Sequence, residues 1–327
     1  MQKPIPPPSL ETILPPNLHH DYFAEGALHP FRPRAVRYQP VNAWWLAEAA
    51  LLAYADGDFA RNQFQQAGFT VSESQPFSDH QQGTQCYVAH NDQVIFVVFR
   101  GTQVRKPGIG QDPAEAWREI LKDWKADGQF QLVPWEHGGS VHKGFTHALG
   151  RLWEGQVHPY VQELNADGKT RAVWFTGHSL GAALATLAAD QYAGAQGLYT
   201  YGSPLVGDAA FASDFHVSAY RIVNNNDIVA RIPPWGPYGS KRLKWGSFEH
   251  VGLLKYLDEQ GALHDNPTLW KRVKHGLQGG FEHVWDLAGH WSKGEFGNFP
   301  IEFLNDHAPL YYALRLWNAY DKESSDG

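Results

Sequence analysis

The stretch VWFTGHSLGAALATLAAD at 173–190 constrains this chain more than any other. Val173, Trp174 and Phe175 read as a buried strand, and Leu180 to Ala189 as a small-residue helix that can lie close against a sheet. Ser179 stands between them, flanked by Gly177 and Gly181 at the spacing G-x-S-x-G. The glycines remove Cβ atoms where such a turn is tightest. The helix N-terminus behind the serine brings positive potential toward any oxyanion formed there. The spacing alone is weak, because a strand-to-helix turn can contain serine by chance. Strand before, helix after and small residues on both sides are what a nucleophile elbow requires.

The rest of the chain alternates strands and helices. QCYVAHNDQVIFVVFRGT reads as a hairpin turning at Asn91-Asp92, and its second strand is apolar enough to be buried on both faces. VNAWWLAEAALLAYAD predicts a helix with one packed face, through Trp44, Ala47, Leu51 and Tyr54. DPAEAWREILKDWKADG carries a cap at Asp112, Pro113 in the first turn, and a stripe of Trp117, Ile120, Leu121 and Trp124. A further helix is predicted from about Phe145 to Leu164. RAVWFT, GLYTYGSP and AYRIVNNND are strand-then-loop units. This order implies an α/β protein whose central sheet is mostly parallel and covered by helices on both faces. The first 40 residues hold nine of the 21 prolines and read as an extended arm that wraps the rest or else stays loose, the apolar Leu18, Tyr22, Phe23 and Phe31 favouring wrapping. Residues 41–327 read as a single domain.

Composition narrows the function. The net charge of −7, with no long basic run, disfavours nucleic acid as a partner. No HExxH, CxxC or phosphate-loop pattern occurs, and the GIG at 108–110 lacks its strand and third glycine, so neither a metal nor a cofactor is expected. The single cysteine, Cys86, allows no intrachain disulfide and fits a reducing compartment. The N-terminus is too proline-broken for a secretory h-region, and no run of about 18 apolar residues occurs. The expected location is therefore cytoplasmic, with secretion by another route or after processing left open.

A serine hydroxyl attacks well only when a base takes its proton and a carboxylate orients that base. Asp227 follows a strand in AYRIVNNNDIVARIPP, where open parallel sheets carry their sites. Its competitor Asp208 reads better as a helix cap. His307, in FLNDHAPLYYAL, precedes the last helix. His250 reads as structural, His264, His275, His283 and His290 as surface residues, and His178 as a packed side chain pointing away from the serine.

These residues resemble the class 3 lipases, the fungal triacylglycerol lipase-like α/β-hydrolases. FRGT at 99–102, DWKAD at 123–127, VHKGF at 141–145, GHSLGAALA, YGSPLVGD, VNNNDIVARIPP and DHAPLYY match that family's motifs in order, over about 94–311. The resemblance implies an α/β-hydrolase fold, Ser179 as nucleophile, Asp227 as acid and His307 as base. It also implies Thr102 and Leu180 as the oxyanion hole, with Gly177, His178 and Gly181 in the elbow. The implied activity is cleavage of carboxylic esters of lipids without a cofactor. A phospholipase or short-chain carboxylesterase is the alternative, and a non-catalytic binding module the remote one. The implied substrate is a lipid or ester, with transient contact to a lipid interface. The segment 103–122 is where this family carries a lid, with Gly108 and Gly110 as hinges. An insertion at about 258–298 departs from the shared pattern. Its apolar stripe from Trp270 to Trp291 reads as core, or alternatively as a cover helped by Lys271, Arg272 and Lys274.

Overall fold

In chain order the strands are β1 (Phe77–Asp79), β2 (Thr84–His90), β3 (Val94–Phe99), β4 (Leu132–Pro134), β5 (Ser140–His142), β6 (Ala172–His178), β7 (Ala195–Tyr201), β8 (Gly207–Asp208), β9 (Ala219–Asn224), β10 (Phe248–Glu249), β11 (Leu253–Leu257) and β12 (Leu263–His264). The helices are α1 (Leu10–Ile13), α2 (Pro40–Leu52), α3 (Gly57–Gln66), α4 (Lys143–Leu152), α5 (His158–Asn165), α6 (Leu180–Gln191), α7 (Ala209–Asp214) and α8 (Pro309–Ser325). This computed structural model describes residues 1–103, 131–227, 229–231, 248–265 and 305–325. The lid segment after Gln103 with Gly108 and Gly110, the helix expected from Asp112, and the 266–298 part of the insertion with His275, His283 and His290 lie outside the described residues.

Eight strands form one sheet in the order β1-β2-β3-β6-β7-β9-β11-β12. The pairings from β3 through β6, β7 and β9 to β11 are parallel, and antiparallel strands close both edges. Side chains of a strand alternate between faces, and here both faces are covered. Val94, Phe96, Val98 and Trp174 join a core with α2 and α8, whereas Ile95, Val97, Phe99, Val173 and Phe175 join one with α4 and α6. This is the mostly parallel, doubly covered sheet that the sequence implies. A second, antiparallel sheet, β10-β8-β5-β4, was not anticipated. Its strands are two or three residues long, too short to show a period.

Three elements differ from expectation. Helix α2 is buried from Val41 to Leu52, not along one stripe. The arm covers its outer side, where Phe23 stacks on Trp45 at 5.0 Å between ring centroids. The arm itself is not extended throughout: Ser9 and Thr12 cap α1 reciprocally, and Tyr22 and Phe23 are buried. The helix expected over 145–164 is interrupted by a π-turn at Trp153–Val157. Pro159, in the first turn of α5, has no N–H to continue the regular ladder.

Register aligns the strand ends. Phe99 pairs with Gly177, His178 with Tyr201, and Tyr201 with Ile222. The segments Arg100–Thr102, Ser179, Gly202 and Asn225–Asp227 therefore leave the sheet at one rim.

Candidate active site

The rim is built around Ser179. Its backbone lies at φ 60°, ψ −128°, between the end of β6 and the first residue of α6. For a residue with a Cβ this conformation is strained by about 1–3 kcal/mol, and it persists only where neighbours over-determine it. They do so here. The Ser179 N–H donates to the Tyr201 carbonyl at 3.0 Å. A Cβ at Gly177 would press on the backbone of Gly181, and one at Gly181 on the Phe99 carbonyl oxygen. The two glycines let strand, turn and helix approach to backbone contact. The same closeness puts the end of β3 beside the first turn of α6. Gly101 completes that contact, since a Cβ there would strike the Tyr54 hydroxyl and the His178 carbonyl. Thr102, partly exposed, and Leu180 thus flank the elbow from two strand ends.

His307 and Asp227 meet beside it. Both side chains are fully buried, and His307 Nδ1 lies 2.9 and 2.8 Å from the two Asp227 oxygens. A carboxylate only accepts, so Nδ1 carries the proton and Nε2 is the ring's acceptor nitrogen. Gly202, at φ 56°, makes room for this pair: a Cβ there would lie 2.5 Å from Asp227 Oδ2 and 2.9 Å from His307 Cε1. The Asp227 carboxylate also accepts from the Val229 N–H at 2.9 Å and the Tyr312 hydroxyl at 2.6 Å.

His178 ties the histidine loop to the elbow. It is a packed side chain, as expected, but its packing has a target. Its Nε2 lies 2.7 Å from the His307 carbonyl oxygen, its Nδ1 2.8 Å from the Tyr54 hydroxyl, and its ring 4.4 Å from that of His307. Burial, with His307 close by, pushes its basicity well below the usual histidine range. A neutral ring has one donor. The carbonyl requires it at Nε2, so Nδ1 accepts from Tyr54.

The remaining candidates fall elsewhere. Asp208 caps α7, accepting from the Phe211 N–H at 2.9 Å. His250 bonds the Ala230 carbonyl at 2.8 Å, and burial lowers its basicity strongly. His264 is partly buried in β12, 2.6 Å from Asp258. Among the described residues no group of three or more His, Cys, Asp or Glu side chains could hold a metal ion. Sequence reasoning missed Tyr54, Gly202, Tyr312 and Asp306. The last two had a signal in their position, since both lie within DHAPLYY beside His307.

Residues 96–236 match the family model described as Lipase (class 3). A lipase of Rhizomucor miehei is 34% identical over 166 residues, which are 46% of this chain and 41% of that protein. The chloroplastic phospholipase A1-Igamma1 of Arabidopsis thaliana is 30% identical over 292 residues, 72% of this chain and 53% of that protein. The chain therefore spans about half, or less, of the length of these curated relatives. Among solved structures, lipase II from Rhizopus niveus superposes with a TM-score of 0.50 at 24% identity, covering 66% of this chain and 78% of that one. That likeness establishes the α/β-hydrolase fold.

Proposed function

We propose that this chain, whose residues 96–236 match the class 3 lipase family model, is a serine hydrolase that cleaves carboxylic ester bonds of lipids. The observation that carries the proposal is the buried Asp227–His307 pair, held by His178 against the strained turn that lifts Ser179.

In this reading His307 Nε2 takes the Ser179 proton as Oγ attacks the ester carbonyl carbon. The carbonyl π bond breaks and its electron pair moves to oxygen. Backbone N–H groups of Leu180 and Thr102 hold that oxyanion, a contribution of about a hundred- to thousand-fold in rate per donor. His307, now an imidazolium oriented by Asp227, returns the proton to the leaving alcohol oxygen. Water then attacks the acyl-enzyme by the same proton path, releasing the fatty acid and restoring Ser179. The alignment over 72% of the chain with a protein named a phospholipase favours a phospholipid as a second reading. Comparing emulsified triglyceride, phospholipid vesicles and soluble esters of graded chain length separates these substrates, and a fluorophosphonate probe separates either from a non-catalytic binding module. Ser179→Ala is expected to abolish turnover of p-nitrophenyl esters with an unchanged circular dichroism spectrum. Retained turnover would remove Ser179 as nucleophile.

A further inference from the structure

The triad accounts for Asp227 and His307 but not for the residue before His307. Asp306 is partly buried, and its side chain turns toward the acid loop, not solvent. Its Oδ2 accepts from the Asn225 side-chain amide at 2.9 Å and from the Asn226 backbone N–H at 3.1 Å. Its own carbonyl accepts from the Asn224 side-chain amide at 2.9 Å. Three consecutive asparagines thus converge on one aspartate, and both partners adjoin a triad residue: Asn226 precedes Asp227, and Asp306 precedes His307. Asn225 is held at φ 41°, a left-handed conformation that asparagine tolerates and most residues do not.

We propose that Asp306 is a positioning residue whose carboxylate latches the acid loop to the histidine loop and so keeps His307 Nδ1 on Asp227. The latch rests on the hydrolase reading above. Nothing in it touches substrate; it acts through the Asp227–His307 pair.

Four further hydrogen bonds show that the latch is a junction and not a lone surface bond. Arg315 on α8 donates to the Asn224 side-chain oxygen at 2.7 Å and to the Asp258 carbonyl at 3.1 Å. The Asn224 N–H donates to the Tyr312 hydroxyl at 3.0 Å, and that hydroxyl donates to Asp227. Among the described residues, the charged or titratable groups facing Asp306 are therefore Asp227 from the acid loop, Arg315 and Tyr312 from α8, and the adjoining His307. Burial and the Asp227 charge push the Asp306 carboxyl up to about 6, against the pull of the Asn226 N–H and Arg315. Below that pH the neutral carboxyl accepts the two amide donors more weakly than the carboxylate does, and the latch loosens.

The test compares Asp306→Asn with wild type on a soluble ester, and repeats the comparison with Asn225→Gly, which keeps the left-handed backbone but removes the amide. Asp306→Asn is expected to lower kcat about ten- to a hundredfold with KM changed less than about twofold, as a small misalignment of reacting groups does. Fluorophosphonate labelling falls in parallel, and the component of the acid limb near pH 6 disappears. Asn225→Gly lowers kcat in the same way, and the double variant is no worse than the more severe single one, because both break one latch. Unchanged kcat and an unchanged pH profile in a folded Asp306→Asn overturn the proposal. So does a lowered melting temperature with wild-type kcat. If Asp306→Asn fails to fold, wild-type kinetics in Asn225→Gly overturn it equally. An active wild type with a silent Asp306→Asn removes only the latch, whereas a wild type inert to ester and probe removes the hydrolase reading itself.

Discussion

Burial, reinforced by Asp227, holds the Asp306 carboxyl at about 6 in the folded chain, against about 4 in an unfolded one. The folded state therefore binds more protons at this group across that interval, so the Asp306 contribution to stability is greatest below about pH 4 and is lost as pH rises through about 6. The difference is roughly 3 kcal/mol. Urea unfolding at pH 4 and pH 7 is expected to show wild type losing about that much more stability across the interval than Asp306→Asn, which does not titrate. Equal losses would contradict the assignment. The residue is thus ionised where it stabilises the fold least, as residues placed for function often are. Ser179 makes the same point through its backbone, at φ 60°. The sequence announces that serine because the elbow is a local feature: two glycines, a strand and a helix within a few residues. Asp227 and His307 were readable from chain order and from their places after a strand and before a helix. The roles of Tyr54, Tyr312 and Asp306 were not, because a hydroxyl or carboxylate that serves a partner 80 to 124 residues away leaves no spacing to read; for Tyr312 and Asp306 only their place beside His307 pointed to the site.

Among the elements, β6 and α6 form the hinge on which the rim depends. All seven residues of β6 are buried, and α6 presents Ala182, Ala183, Ala185, Ala188 and Ala189 as a low surface. Small side chains bring the helix axis close to the sheet, and this closeness lets the start of α6 sit beside the end of β3. Gly181→Ala tests it, because the added methyl would press on the Phe99 carbonyl and displace either the helix start or the end of β3, which in the proposed reading leads to an oxyanion donor. Overpacking of this kind costs about 1–3 kcal/mol, and displacing an oxyanion donor lowers rate about a hundredfold or more. The expected variant is folded, less stable in denaturant, and much slower on p-nitrophenyl esters. Wild-type kcat would show that the close approach of α6 to β3 at Gly181 does not matter to the site. The long central strands and this helix were legible because an apolar run and a small-residue run each extend over many residues. The sheet of β4, β5, β8 and β10 was not, and neither was the π-turn before α5. Both are set by tertiary contact and by a single proline, which no local period reports.

At the scale of the molecule, the arm and α8 form one unit although they lie at opposite ends of the sequence. Helix α8 begins two residues after His307 and carries Tyr312, so its seating fixes the histidine loop. The arm clasps the middle of that helix. Trp317 Nε1 donates to the Met1 carbonyl at 2.9 Å, Tyr311 to the Pro6 carbonyl at 3.1 Å, and Asn318 exchanges two bonds with the Lys3 backbone at 2.6 and 2.8 Å. The Lys3 ammonium lies 5.1 Å from the Trp317 ring centre. Further along, His20 reaches the fully buried Glu48 carboxylate at 2.8 Å, and Tyr22 and Phe23 close over α2. Composition showed only that the arm could not be regular; its aromatic anchors pointed to wrapping but not to what it wraps. Deleting residues 1–8 removes these four bonds to α8, and the Met1–Asp321 ion pair with them, while sparing His20, Tyr22 and Phe23. At about 1 kcal/mol each, their loss amounts to roughly 4 kcal/mol, and a chain of this size is expected to melt about 6 °C lower. Hydrogen exchange is expected to rise first in α8, and ester turnover to decline on warming before the sheet unfolds, since the histidine loop loosens with its helix. If the truncated chain melts within a degree of the full one and α8 exchanges no faster, the clasp contributes nothing and α8 is held by its contacts with α2 alone.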